Sequence, residues 1–188
     1  MRILVLSDTH GDITKAIEVY KKLNKTKKID YIVHCGDYID DGLRLRDKLG
    51  VKVLLTKGNC DNSFNEDEFA ILETEAGNIL AVHGHMQRVS YSLEYLYELA
   101  IDNNCVCALF GHTHRGLFTN VNGIHIMNPG SLTRPRDASS GSFGILEIDG
   151  DTISGQIYSY ENFMSDEKSK KKITTGHLSS LLNYSDRF

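Results

Sequence analysis

Five short polar clusters punctuate the chain, and each follows or closes a run of apolar, β-prone residues: Ser7-Asp8-Thr9-His10, Gly36-Asp37, Gly58-Asn59, His83-Gly84-His85 and Gly111-His112-Thr113-His114. This repetition constrains the fold more than any other feature. Strands that end alike and lie side by side bring their polar ends to one edge of a sheet. Asp8, His10, Asp37, Asn59, His83, His112 and His114 are the candidate metal donors in these clusters. They suffice for two ions if one carboxylate is shared.

The segments between the clusters alternate in period. Residues 2 to 7 read as a buried strand, and Ile13, Ala16, Ile17, Tyr20 and Leu23 form one helical stripe behind Asp12 as an N-cap. The same grammar returns as a strand over 31–35, a helix near 41–49 and a strand over 51–56. Such alternation predicts parallel strands with helical crossovers, an α/β fold. After about residue 68 the pattern shifts. Phe69 to Glu75 and Asn78 to His83 read as two strands joined through Ala76-Gly77, followed by a helix near 90–102 and a strand over 105–110. Asn122-Gly123 marks a hairpin, and Asp149-Gly150 marks another.

With 188 residues, 40% of them hydrophobic and 24% charged, the chain suits one soluble domain. We expect that domain over 1–160. Residues 161–188 read as a charged connection and a tail. Lys168, Lys170, Lys171 and Lys172 form a solvated face, and Leu178, Leu181 and Leu182 pack on the same domain or on a partner subunit in a homo-oligomer. A net charge of −4 disfavours a general grip on nucleic acid, which needs a basic face. The opening apolar run is too short for a signal peptide and no stretch approaches the ~20 residues of a membrane span, so a soluble, cytoplasmic protein is expected. Cys35, Cys60, Cys105 and Cys107 form no CxxC pair and no disulfide framework. They read as reduced thiols, with Cys105 and Cys107 on one face of a strand.

Any single cluster has a plain structural explanation, since Asp caps helices and Gly-Asp or Gly-Asn makes turns. All five at strand ends point to metal. Mixed nitrogen and oxygen donors suit Mn²⁺, Fe²⁺, Zn²⁺ or Co²⁺ better than the all-oxygen sites of Ca²⁺. No G-x-S-x-G, P-loop or H-E-x-x-H motif offers a competing chemistry.

The order D-x-H, G-D, G-N, G-H and G-H-x-H resembles the calcineurin-like metallophosphoesterase superfamily, in particular its small capless bacterial and archaeal phosphodiesterases. Asn128-Pro129-Gly130-Ser131 also resembles a family loop. The resemblance implies a four-layer α/β/β/α sandwich with two mixed sheets. It implies two divalent ions, Mn²⁺ first and Zn²⁺, Fe²⁺, Co²⁺ or Ni²⁺ as options. One would be held by Asp8, His10, Asp37 and His114, the other by Asp37, Asn59, His83 and His112. The implied activity is hydrolysis of a small-molecule phosphate ester, most readily a diester, by direct attack of a metal-bridging hydroxide. Asp37, Asn59 and His85 are the catalytic candidates. Cys60 and Arg134 are the substrate contacts, with Arg136 as a further phosphate contact. Cys60 departs from the pattern, standing where many family phosphatases carry a histidine. The competing readings are a non-catalytic scaffold resembling the retromer subunit of this fold and a metal-dependent nuclease. His34, His125 and His177 fall outside the motifs and are expected to be structural or exposed.

Overall fold

Both faces of the first strand, β1 (Arg2–Leu6), are apolar, and they serve different cores. Ile3 and Val5 face a second sheet, whereas Leu4 and Leu6 face helices. That two-sided burial is what a parallel strand inside a layered α/β protein requires. The computed structural model describes residues 1–61 and 68–165. Lys168, Lys170, Lys171, Lys172, Leu178, Leu181, Leu182 and His177, for which surface or packing roles are expected, lie outside the described residues.

After β1 come α1 (Thr14–Thr26), β2 (Tyr31–His34), α2 (Ile39–Leu49) and β3 (Lys52–Leu55). The three strands are parallel, and β9 (Ser142–Asp149) and β10 (Thr152–Ser159) extend the sheet antiparallel on the other side, in the order β10-β9-β1-β2-β3. The second sheet runs β4-β5-β6-β8-β7, from β4 (Phe69–Thr74), β5 (Gly77–Val82), β6 (Cys105–Leu109), β7 (Gly116–Val121) and β8 (Ile124–Pro129). Its three central strands are parallel and its edges antiparallel. Two mixed five-stranded sheets thus pack face to face. α1 and α2 cover the first, and α3 (Glu94–Asp102) covers the second. This is the expected four-layer sandwich, and both predicted hairpins are present.

Four local details differ from the sequence reading. The N-cap of α1 is Ile13, not Asp12, whose carboxylate instead accepts the Thr14 N–H at 2.9 Å in a turn before the helix. Helix α3 begins four residues later than expected, at Glu94. Cys105 and Cys107 do not share a face. The register slips between Asn78 and Ile79, so Cys105 packs under α3 while Val106 and Cys107 both turn to the inter-sheet core. The charged stretch from 161 opens with a short helix, α4 (Tyr160–Met164), whose Phe163 packs edge-on against Phe143 at 5.1 Å. Among the described residues no helix is long and apolar enough to cross a membrane.

Candidate metal centre

Every polar cluster falls just beyond the carboxyl end of a parallel strand: Asp8 and His10 after β1, Asp37 after β2, Asn59 after β3, His83 after β5, and His112 and His114 after β6. Both sheets point these ends the same way. His83 Nδ1 donates to Cys35 O at 2.8 Å and the His112 N–H donates to Asp8 Oδ2 at 3.0 Å, joining the two rims.

The turns are tight to the point of strain. Asp8, His10, Asp37, His112 and His114 have φ of 55, 48, 79, 66 and 57°, five of the nine non-glycine residues with positive φ among those described. Left-handed backbone costs an L-residue about 1–2 kcal/mol, and such outliers concentrate where geometry serves a site. Glycine is required between the turns. A Cβ on Gly58 would lie 2.2 Å from Asp37 N, and one on Gly111 would lie 1.9 Å from Ser7 Oγ and 2.7 Å from Asp8 Oδ2.

The donors form two adjoining groups. In the first, His114 Nε2 lies 3.2 Å from Asp8 Oδ1, His10 Nε2 lies 3.3 Å from His114 Nε2, and His10 Nε2 lies 3.4 Å from Asp37 Oδ2. The ligand atoms of these four residues all lie within 4.8 Å of one another. In the second, Asn59 Oδ1 lies 3.0 Å from His83 Nε2 and 3.1 Å from His112 Nδ1, and Asp37 Oδ1 lies 3.6 Å from His83 Nε2. Asp37 turns one oxygen to each group. Donors around an ion with bonds of about 2.1 Å stand about 3.0–3.4 Å apart in octahedral to tetrahedral arrangements. Five of these six separations fit that spacing, and the Asp37–His83 separation of 3.6 Å lies just outside it.

The tautomers strengthen the case. His114 Nδ1–H donates to Arg134 O at 2.6 Å and His83 Nδ1–H donates to Cys35 O, so in the neutral rings both Nε2 lone pairs face the donors. Asp8 Oδ1, fully buried, makes no hydrogen bond despite its 3.2 Å approach to His114. Asp8 Oδ1 and the His114 Nε2 lone pair therefore face each other beside His10 Nε2, an arrangement that a shared proton or a cation would satisfy. Burial lowers the pKa of His10, against the pull of Asp37. Burial also opposes protonation of His114, but the Asp8 carboxylate and the Arg134 carbonyl outweigh it and raise that pKa. Asp8 is pushed up by burial, yet the His114 contact and the nearby His83 hold it below its ordinary value. A divalent ion would replace the shared proton.

The other candidates lie around this core. His85 lies beside the second group, its ring 5.4 Å from that of His83 and 6.3 Å from that of His112, with a buried Nδ1 that makes no hydrogen bond. Cys60 is exposed, its N–H donating to Asp37 Oδ1 at 3.1 Å, and its thiol, hydrogen-bonded to Asp37, has a pKa raised to about 11. The Arg134 side chain is exposed. Its carbonyl orients His114, a backbone contribution the sequence reading missed. Arg136 donates its N–H to His114 O. His34 is fully buried, and His125 is half-buried, stacked on Phe118.

Several bracing residues were also missed. Ser131 Oγ donates to Asp8 O at 2.8 Å, Asn128 Nδ2 donates to Gly111 O at 2.7 Å, and Asp61 accepts the N–H groups of Ile39 and Gly58. Only Asn128 and Ser131 carried a sequence signal, in the Asn-Pro-Gly-Ser loop.

The profile of the calcineurin-like phosphoesterase superfamily domain matches residues 1–151. The chain belongs to this superfamily. It is 28% identical over 158 residues to a probable metallophosphoesterase of Bacillus subtilis, covering 84% of this chain and 90% of that one. It is 29% identical over 149 residues to a phosphodiesterase of Methanocaldococcus jannaschii, covering 69% and 83%. A conserved phosphoesterase-like protein of Streptococcus pneumoniae superposes with a TM-score of 0.71 at 27% identity, over 85% of this chain and 90% of that one. Vps29 of Entamoeba histolytica, solved with zinc, shares the fold at a TM-score of 0.67 and 20% identity, over 85% and 99%.

Proposed function

We propose that the protein is a dinuclear-metal phosphoesterase acting on a small phosphodiester. The observation that carries the reading is the convergence of seven donor side chains at 3.0–3.6 Å spacings. Asp8, His10, Asp37 and His114 would hold one ion and Asp37, Asn59, His83 and His112 the other, with Mn²⁺ as the favoured metal. Two divalent cations, when bound, neutralise phosphoryl charge and bring the pKa of water near neutrality, so that water can attack phosphorus directly.

The chain's own groups set the rest. Asp37 spans both groups through its two oxygens, and Asn59 offers a neutral oxygen that leaves net positive charge for an anionic ester. Arg134, exposed at the rim, provides a cation for a phosphate oxygen. His85, with its unpaired buried nitrogen, faces the second group as the general acid–base candidate. Cys60 presents an uncharged thiol, a weak donor that gives a monoester dianion little help, which favours diesters.

Metal analysis joined to a panel of phosphate esters with added Mn²⁺ tests this, comparing the wild type with Asp37→Ala and His112→Ala. Two ions and diester hydrolysis are expected in the wild type, with both lost in Asp37→Ala. His112→Ala should keep the first ion. Full activity in both variants overturns the assignment. Metal binding without hydrolysis of any ester points instead to a scaffold on this fold.

A further inference from the structure

Behind the Asp8–His10 turn lies a buried chain of polar groups that touches neither proposed ion. Thr9 is fully buried between two donors that are both in the left-handed region, Asp8 at φ 55° and His10 at φ 48°. Its Oγ1 donates to Asp41 Oδ2 at 2.7 Å and lies 2.9 Å from His34 Nε2. A hydroxyl has one hydrogen, and the ionised carboxylate can only accept. The Thr9 hydrogen therefore belongs to Asp41, and His34 must be the donor, protonated on Nε2. That leaves His34 Nδ1 as a bare lone pair, and this atom makes no hydrogen bond. Asp41, almost fully buried in the first turn of α2, also accepts the Gly11 N–H at 2.7 Å, and Arg44 Nη1 holds its other oxygen at 2.8 Å while donating to Gly11 O at 3.0 Å. From the opposite side, Thr133 Oγ1 donates to Thr9 O at 3.1 Å.

We propose that His34, Thr9 and Asp41 form a positioning relay, running from β2 through the turn to α2, that fixes the Asp8–His10 turn for metal binding. The inference rests on the metal-centre reading above. Asp41 grips the turn at two points, the Thr9 hydroxyl and the Gly11 N–H, which bracket His10. His34 is anchored in the sheet, paired in register with Leu6 and Leu55. The relay therefore ties a turn with two left-handed donors to strand β2 on one side and helix α2 on the other. None of its members is hydrogen-bonded to the Asn59, His83 or His112 side chain, so its effect falls mainly on the ion held by Asp8, His10, Asp37 and His114, with the second group touched only through Asp37 and the His112 N–H on Asp8.

Calorimetric titration of the chelator-treated full chain with Mn²⁺ tests this, with thermal unfolding of the same metal-free samples as the control. Thr9→Val keeps the shape and removes the hydroxyl. We expect the ion held by Asp8, His10, Asp37 and His114 to bind about 10- to 100-fold more weakly, the range for loss of a group that orients a ligand, and the other to be weakened far less. Thr9→Ser, which keeps a hydroxyl, and His34→Gln, which keeps a donor at the Nε2 position, should bind both ions as the wild type does. Asp41→Asn gives an independent reading should Thr9→Val not fold. Two ions bound by a folded Thr9→Val with wild-type affinity overturn the relay. Equal weakening of both ions in Thr9→Val, or binding in Thr9→Ser and His34→Gln as weak as in Thr9→Val, also overturns it. A wild type that binds no Mn²⁺ refutes the metal-centre reading itself, which is a different failure.

Discussion

Adding one methyl group at Gly111 should disable the site. The turn that carries His112 and His114 passes so close to the β1 turn that a Cβ at this position would sit 1.9 Å from Ser7 Oγ, 2.7 Å from Asp8 Oδ2 and 2.9 Å from Ser7 Cβ. Ser7 can rotate away only by giving up its buried hydrogen bond to Cys35 O. The other two contacts survive that rotation, because the Asp8 carboxylate is held by the His112 N–H and Ser7 Cβ is part of the strand end. Ordinary carbon contacts need about 3.4 Å or more, so the two turns must part by the better part of an ångström. A displacement of that size between groups that act together costs about 100-fold in rate. Overpacking of a filled core costs about 1–3 kcal/mol, which for a chain of this length lowers Tm by roughly 2–12 °C. The assay is Mn²⁺-dependent hydrolysis of a chromogenic phosphodiester beside thermal unfolding of the metal-free protein. Gly111→Ala should lose both activity and stability, and adding Ser7→Ala should recover part of the stability. Wild-type activity and Tm in Gly111→Ala would refute the close approach, and with it the claim that the two sheets build one site.

Two further outcomes follow from the same geometry. In metal-free protein the Asp8–His114 pair has a defined pH window. The His114 pKa is raised, so its contribution is full below about pH 6.5 and is lost as pH rises through the higher folded value. The Asp8 pKa is depressed, so its contribution is present above about pH 4 and is lost as pH falls through the lower folded value. The Tm difference between wild type and Asp8→Asn should therefore peak between about pH 4 and 6.5, while Mn²⁺ affinity rises above that range as the His114 proton leaves; a difference that grows above pH 8 contradicts the assignment. At Cys60 the substitution Cys60→His should raise monoester turnover relative to diester turnover, since an imidazole donates and carries charge where the thiol does neither. Equal or better monoester turnover by the unmodified protein defeats that reasoning.

The layered fold and the gathering of donors were legible because both are written locally. An apolar run of five or six residues followed by Gly-Asp or Gly-His states where a strand ends and what stands on its rim. The parallel crossovers then bring those rims together whatever the details of the helices. What could not be read is long-range and depends on individual atoms. The bulge at Val106 breaks the alternation that placed Cys105 and Cys107 together, and nothing in Cys-Val-Cys announces it. Asp41 looks like an ordinary acidic residue in the first turn of a helix, yet its carboxylate reaches back thirty positions in sequence to Gly11. Arg134 was singled out for its guanidinium, and the structure uses its carbonyl to orient His114. These cases share a cause. Residue types declare which atoms can bind a metal, but the groups that aim those atoms are backbone carbonyls, hydroxyls and buried carboxylates with no distinctive type. A change to one of the named donors and a change to one of these supports should thus be told apart by their effects, since the first removes a ligand and the second leaves every ligand present but misdirected.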